Sequence, residues 1–288
     1  MNITLATKKP FSFDQTLEFI RRFPGCQTQA LVGDAEVTGA FSANGWGWAV
    51  TLRSVKGEVI AELPAGAPKQ LAQRAAEWIG AADDIEPLYE RAAGDKPFKP
   101  IIAKLHGLHH VRFLGLEDIA VHSVMMQRQS PLQTARMKRK FLAALGHPAR
   151  EDGAAGALIA MPELHELAEL TPAQIEKAIS HGAKAERIVS VVRGVARLGE
   201  TFLRTAPYDE AKRALLEIPG VGPFSAIAIL MRGLGRHEQN PVLELFEDEG
   251  RAVYGSAWNE HAIVKRYGDQ IGYWTYYLKA GAAQLRDS

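Results

Sequence analysis

The segment with the most evident chemical purpose is Leu215-Leu-Glu-Ile-Pro-Gly-Val-Gly-Pro-Phe-Ser-Ala226. Gly220 and Gly222 flank the small apolar Val221 between two stretches of helical spacing. Glycine reaches positive φ at no steric cost, so the chain can reverse here. With no side chains in the way, backbone N–H groups can approach a phosphate at the start of the next helix. Pro223 opens that helix where its missing donor costs nothing. Ile218 and Val221 are expected to point inward and lock the two helices. The plainer alternative is a tight turn between helices that binds nothing. Two other groups of chemically capable residues stand out. Glu244, Glu247, Asp248 and Glu249 form an acidic run that also suits a solvated helix start, where the dipole favours negative charge. His106, His109 and His110 invite a metal reading, but no Cys, Asp or Glu stands at helpful spacing, so no metal site is expected.

Composition narrows the classes. The chain has 288 residues, 47% of them hydrophobic, long enough for one large or two ordinary domains. Lys and Arg number 34 against 33 Asp and Glu, so attraction to a nucleic acid must come from local clustering of positive charge. The single cysteine, Cys26, excludes an internal disulfide, a four-thiolate zinc site and an iron–sulfur cluster, and is expected to fill a core. The start of the chain lacks a secretory-type apolar stretch, and no run approaches about 18 apolar residues. A cytoplasmic monomer without a membrane partner is expected.

The elements that must position these residues fall into two parts. Ser12 with Gln15 predicts a capped helix from Phe13 to Arg22. Gly33-Asp34, Asn44-Gly45 and Lys56-Gly57 punctuate runs such as Trp48–Leu52 and Glu58–Glu62, which predicts antiparallel strands joined by tight turns. Trp46 and Trp48 alternate along one strand and are expected to pack. A helix carrying Leu71, Ala75, Trp78 and Ile79 follows Pro68. Beyond Asp95-Lys-Pro-Phe-Lys-Pro100 strand signals almost vanish and amphipathic helices follow one another, among them 116–126, 131–145, 161–170, 172–180, 183–198, 209–217, 223–234, 259–267 and 271–284. The fold class is therefore α+β. A mixed domain over 1–100 with an antiparallel sheet is expected to precede an all-helical domain over 101–288.

In these residues the chain resembles the helix-hairpin-helix DNA glycosylase superfamily, and within it the 3-methyladenine DNA glycosylase II branch. Besides the hairpin, the resemblance rests on Leu105-His-Gly-Leu-His-His-Val-Arg112, Gln127-Arg-Gln-Ser130, Ala183-Lys-Ala-Glu-Arg-Ile188 and the aromatic Tyr273-Trp-Thr-Tyr-Tyr277, in the family's order over most of the chain. It implies a partner, double-stranded DNA with a damaged base, and an activity, flipping and hydrolytic excision of an alkylated base of the 3-methyladenine type. Hairpin contacts would come from Gly220, Val221, Gly222, Phe224, Ser225 and Ala226. Gln127 or Arg128 would fill the gap left by the flipped base, and Lys184 would face the DNA. Phe224 and Trp274 would line the base pocket, Phe224 having a place in the core as its alternative. No cofactor is implied apart from a monovalent cation at the hairpin carbonyls.

Two positions depart from the family pattern. The family's catalytic aspartate stands two residues after a proline, and here Pro241 is followed by Val242, Leu243 and Glu244, so Leu243 holds that position. Glu244 becomes the catalytic candidate, although one residue along a helix turns a side chain by about 100°. Glu247 and Asp248 are weaker candidates. Loss of the carboxylate would instead leave a non-catalytic protein that binds damaged or distorted DNA. Where strand-cleaving members carry a Schiff-base lysine, this chain has Phe224, which implies a monofunctional enzyme. Arg136, Lys138, Arg139, Lys140 and Arg187 are offered either as phosphate contacts or as solvated faces.

Overall fold

Ser12 accepts a hydrogen bond from the Gln15 amide at 3.3 Å and caps a helix over Phe13–Arg22, as its spacing predicts. The computed structural model describes residues 1–23, 25, 28–151, 154–239 and 243–286, with main chain only at 154–157, 244 and 283–286. Cys26 and Pro241 lie outside the described residues.

Five strands, β1 (Asn2–Leu5), β2 (Ala30–Val32), β3 (Glu36–Ala43), β4 (Trp46–Val55) and β5 (Glu58–Glu62), pair antiparallel in the order β1-β5-β4-β3-β2. Asn44 and Gly45 both take positive φ in the β3–β4 turn, as do Lys56 and Gly57 between β4 and β5. That geometry suits two-residue hairpin turns. One face of the sheet buries Val37, Phe41, Val50, Leu52, Val59 and Ala61 against Leu17 and Ile20 of the first helix and Leu71, Ala75 and Trp78 of the Gln70–Trp78 helix. Trp48 is buried, as expected of packing. Trp46 is half exposed beneath the Arg150 guanidinium, 3.4 Å from its ring centre.

The second part is not wholly helical. β6 (His147–Glu151) and β7 (Ala154–Ala160) form a hairpin that joins the N-terminal sheet, β6 running parallel to β4 through Gly47↔Ala149 and Trp48↔Arg150. A Cβ at Gly47 would stand 2.8 Å from the Pro148 carbonyl oxygen, so the missing side chain admits this pairing. The segment is rich in alanine and poor in β-branched residues, and its strand state comes from the neighbouring sheet rather than from local preference.

The remaining elements are helices that pack in two further clusters. The larger centres on Leu116–Met125 and Gly182–Leu198 and includes Ile218, Val221 and Ile229. Capping boxes at Ser130 and Thr171 start the Pro131–Leu145 and Pro172–Ile179 helices. The other cluster joins Ile85, Leu88, Ala92 and Phe98 to Leu243, Tyr254, Tyr267, Trp274 and Tyr277. This packing straddles residue 100, because helices at Glu86–Ala92 and Lys99–Lys104 lie against the Ile271–Arg286 helix. Phe19 and Phe23 of the first helix pack against two clusters each, filling the seam between the sheet part and the helical part. Among the described residues, no helix is long and apolar enough to cross a membrane.

Candidate functional site

The hairpin links the Tyr208–Leu216 and Pro223–Ala228 helices. Gly220 lies at φ +99°, where a side chain would be strained. Gly222 does not share that conformation. At φ −97° and ψ 176° it is extended, and a Cβ there would meet nothing within 4 Å. The expectation of positive φ at both glycines is therefore corrected: Gly220 makes the turn, and Gly222 keeps the outer surface bare. Ile218 and Val221 are buried as expected. Ile218 sits over Gly194, where a Cβ would come within 2.6 Å of its side chain, so the absence of a side chain lets the Gly182–Leu198 helix support the hairpin closely. Ser225 and Ala226 are also buried, leaving their backbone rather than their side chains for any outside contact, while Phe224 is 41% exposed.

The chain after the Leu116–Met125 helix docks on the hairpin. Gln127 Nε2 donates to the Gly220 carbonyl oxygen at 2.9 Å. Gln127 is thus engaged in holding the turn, and Arg128 beside it is exposed, at φ +54°. A non-glycine residue held there is uncommon and marks a position fixed by its surroundings. Lys184 does not face outward. Its ammonium is buried and donates to the carbonyl oxygens of Val124, Met125 and Gln127 at 3.0, 2.9 and 2.7 Å, closing the end of that helix where unpaired carbonyls favour a cation. Lys138 is likewise internal, 2.6 Å from Asp118 and donating to the Gly25 carbonyl, whereas Arg136, Arg139 and Lys140 are exposed on the same helix.

Trp274 is fully buried, stacked on Trp258 at 6.1 Å and 19° and bordered by Phe98 and Tyr267. It belongs to the core, and its helix turns another face, that of Thr275, Tyr276 and Lys279, to the open space. That space is a cavity of about 430 Å³ between the first helix, the 108–110 segment, the end of the hairpin's second helix and the Ile271–Arg286 helix. Its walls include Phe19, Phe23, Met231, Arg232, Phe246 and Tyr276. Phe224 is not among its lining residues. The second hairpin helix runs straight into a π-helical turn, Ile229–Gly233, and that turn delivers Met231 and Arg232 to the wall. Such turns are rare and often accompany functional positions. Sequence reading missed this wall because its residues come from five distant segments, although Phe19 and Phe23, four apart at the end of the first helix, form a visible aromatic pair.

Behind the cavity, the three histidines diverge. His106 stacks on Tyr89, and His109 lies between the carbonyl oxygens of Gly80 and Pro10. His110 packs against Tyr276 and His237. Burial, reinforced by the charges around His237, Arg232 and Arg112, holds the His110 imidazole well below the ordinary histidine range. Farther back, burial alone would raise the Asp83 carboxyl. The His237 ring 3.8 Å away, the paired Arg112 and the Tyr273 hydroxyl at 2.5 Å outweigh it, and Asp83 stays ionised.

The 3-10 turn Leu243–Phe246 borders the same cavity through Phe246, while Leu243 is buried in the neighbouring core. The Glu244 side chain lies outside the described residues. Glu247 and Asp248 are exposed in the first turn of the Glu247–Tyr254 helix, and Glu249 is buried and paired with Lys279 at 2.5 Å. No carboxylate is among the described residues lining the cavity. A larger cleft of about 580 Å³ lies elsewhere, and its charged groups pair among themselves, Arg74 with Glu117 and Arg204 with Glu77 and Glu200.

No family model matches the chain. Over 160 residues, 55% of this chain and 52% of the relative, it is 27% identical to a DNA-3-methyladenine glycosylase from Bacillus subtilis. Over 163 residues, 56% of this chain and 32% of the relative, it is 28% identical to a Mycobacterium tuberculosis protein described as "Probable bifunctional transcriptional activator/DNA repair enzyme AlkA". The matches thus span about half or less of these curated relatives. Among solved structures, a 3-methyladenine DNA glycosylase from Archaeoglobus fulgidus superposes with a TM-score of 0.77 at 17% identity, covering 96% of this chain and 97% of that one. An 8-oxoguanine glycosylase/lyase from Clostridium acetobutylicum bound to duplex DNA gives 0.74 at 13%, covering 99% and 98%. The chain carries the helix-hairpin-helix DNA glycosylase fold, and the relatives it matches in sequence include a DNA-3-methyladenine glycosylase.

Proposed function

We propose that this protein is a monofunctional DNA glycosylase that flips an alkylated base from the duplex and hydrolyses its N-glycosidic bond in base excision repair. The observation that carries the reading is continuity: one segment runs from the bare turn at Gly220–Gly222 to Met231 and Arg232 in the wall of an aromatic cavity. The turn would hold backbone phosphate, Arg128 would occupy the gap in the stack, and Phe19, Phe23 and Phe246 would face the extruded base. Arg136, Arg139 and Lys140, and Arg187 beside the hairpin, are exposed cations that would meet further phosphates. A monovalent cation would share the same anchoring role at a turn whose Ile218, Pro219 and Gly220 carbonyl oxygens already accept from Val221, Ser190 and Gln127.

Excision needs little assistance when the base is a good leaving group. As the C1′–N bond breaks, positive charge grows on the sugar, and a carboxylate stabilises it and helps water add to C1′. Glu244, in the turn that contributes Phe246 to the cavity, is the residue we assign to this role. Phe224 cannot form a Schiff base, so the product would be an intact strand with an abasic site. Leu243 at the family's aspartate position supports one second reading, a protein that binds damaged DNA without cutting the glycosidic bond.

The discriminating assay incubates the protein with methylated duplex DNA and then cleaves abasic sites with alkali. Strand breaks appearing only after alkali are the expected result. Binding without breaks at stoichiometric protein would establish the second reading. A Glu244→Gln variant is expected to bind normally and to lose at least about 100-fold in single-turnover excision. Excision at the unaltered rate would remove Glu244 from the chemistry.

A further inference from the structure

Asp83 is a largely buried carboxylate that the proposed chemistry does not use. It follows the Gln70–Trp78 helix of the sheet part. One of its oxygens pairs with the Arg112 guanidinium. The other accepts the Tyr273 hydroxyl at 2.5 Å and stands 3.8 Å from Nε2 of His237. Each partner belongs to a different segment around the aromatic cavity. Arg112 continues the 108–110 segment, Tyr273 shares its helix with the wall residue Tyr276, and His237 follows the turn that delivers Met231 and Arg232. Glycines admit the close packing. A Cβ at Gly80 would stand 2.8 Å from the His110 carbonyl oxygen and 2.9 Å from the Asp83 carboxylate, and a Cβ at Gly272 2.7 Å from the His237 carbonyl oxygen. Gly235, at φ +73°, lies directly on the Arg112 guanidinium, which a Cβ there would overlap.

A buried carboxylate–guanidinium pair resists displacement, because parting it leaves two uncompensated charges out of water. This pair is also tied to the sheet part. The Arg112 amide donates to the Trp78 carbonyl oxygen at 2.7 Å, and the His109 ring bridges the carbonyl oxygens of Gly80 and Pro10. Gly235–His237 therefore rests on a fixed peg. From His237 the chain continues to the turn at Leu243–Phe246, which brings Phe246 to the cavity and bears Glu244. Resting on the glycosylase reading above, we infer that Asp83 is a positioning residue for excision. Through Arg112 it fixes Gly235–His237, and with that span the turn that carries the proposed carboxylate. The leverage is large, since a displacement of about 1 Å at a reacting group costs about 100-fold in rate.

The test is Asp83→Asn, which keeps the size and an acceptor for Tyr273 but removes the charge that holds Arg112. Single-turnover excision from methylated DNA at saturating protein should fall about tenfold or more, while affinity for a duplex containing an abasic-site analogue stays the same. A second readout is amide hydrogen exchange, measured well below the melt. The Gly235 and Arg236 amides, which donate to the Met231 and Leu230 carbonyl oxygens at 3.0 Å, should exchange about tenfold faster or more. Those of Val221 and Ala226 in the hairpin should keep their rates, which a general loss of stability would not allow. Asp83→Asn combined with Arg112→Met removes both charges together and carries the test if the single variant does not fold. Excision at the wild-type rate, or exchange that rises evenly or not at all, overturns the inference and leaves the glycosylase reading standing. If wild type itself releases no base, the glycosylase reading fails instead, and the exchange comparison alone decides whether Asp83 fixes this span. A rise confined to Gly235 and Arg236 upholds it, and an even rise or none overturns it.

Discussion

Replacing Lys184 by Met separates two roles that the same charge could play. The side chain is 3% exposed, and its ammonium donates to three main-chain oxygens within 3.0 Å at the end of the Leu116–Met125 helix. Methionine preserves most of the volume and removes every donor. Three carbonyls would then compete for what solvent can reach them, and the Gln127–Arg128 corner would lose its tie. Losing charge-assisted bonds of this kind, offset by relief from burying an ammonium, costs about 2–4 kcal/mol. For a chain of this size that is a fall in Tm of roughly 3–7 °C. The informative assay pairs a thermal melt with the salt dependence of DNA affinity, measured well below the melt. A phosphate-contacting lysine contributes about one unit to the slope of log affinity against log salt. Lys184→Met should leave that slope unaltered while lowering Tm. An unchanged Tm with a shallower slope would refute the helix-closing role and return Lys184 to the DNA surface.

Gly222→Leu places a side chain where a Cβ meets nothing within 4 Å, so folding should change by less than about 1 kcal/mol while affinity for all duplex sequences falls about tenfold or more. Unchanged affinity in a gel-shift titration would count against phosphate anchoring. Trp274→Ala should cost about 3–5 kcal/mol in urea unfolding and leave the proposed single-turnover excision from methylated DNA, measured well below the melt, alone, because the ring fills a core and is not among the residues lining the aromatic cavity. A changed excision rate at unaltered stability would reverse that assignment. His110, His122 and His237 are held below the ordinary value of 6.5 chiefly by burial, so below that pH the unfolded chain binds more protons than the folded one. Their contribution is complete above pH 6.5 and is lost as pH falls, by up to about 1.4 kcal/mol per pH unit for each histidine. Urea midpoints equal at pH 7 and 5.5 would exclude it.

What the sequence made legible was local. Ser12, Ser130 and Thr171 declare helix starts through side chains that bond within three residues, and the strand turns declare themselves through Asn44-Gly45 and Lys56-Gly57. The β6–β7 hairpin was illegible because its state depends on Gly47, a hundred residues earlier. Lys184 and Trp274 were misplaced for the same physical reason. An amphipathic pattern states that a helix has an inner face, and not whether a long polar side chain on its margin turns back to a neighbour's carbonyls or which aromatic meets open space. The cavity wall combines Phe19, Arg232, Phe246 and Tyr276, and no spacing rule connects them.

The proposed anchoring and the proposed chemistry stand on different segments. The turn at Gly220 and the cavity residues Met231 and Arg232 belong to one continuous stretch, held by Gly194 beneath it and Gln127 beside it. The proposed carboxylate comes from another, the turn at Leu243–Phe246, whose first residue is packed into the cluster of Tyr254, Tyr267 and Trp274. That cluster already buries one carboxylate, Asp95, which accepts from the Tyr254 and Tyr267 hydroxyls at 2.7 and 2.8 Å, and Leu243 packs into it as an apolar side chain. The proposed carboxylate, Glu244, stands in the next position of that turn, on a segment separate from the hairpin. For that reason the departure at Leu243 bears on the proposed excision and not on the proposed seating of DNA.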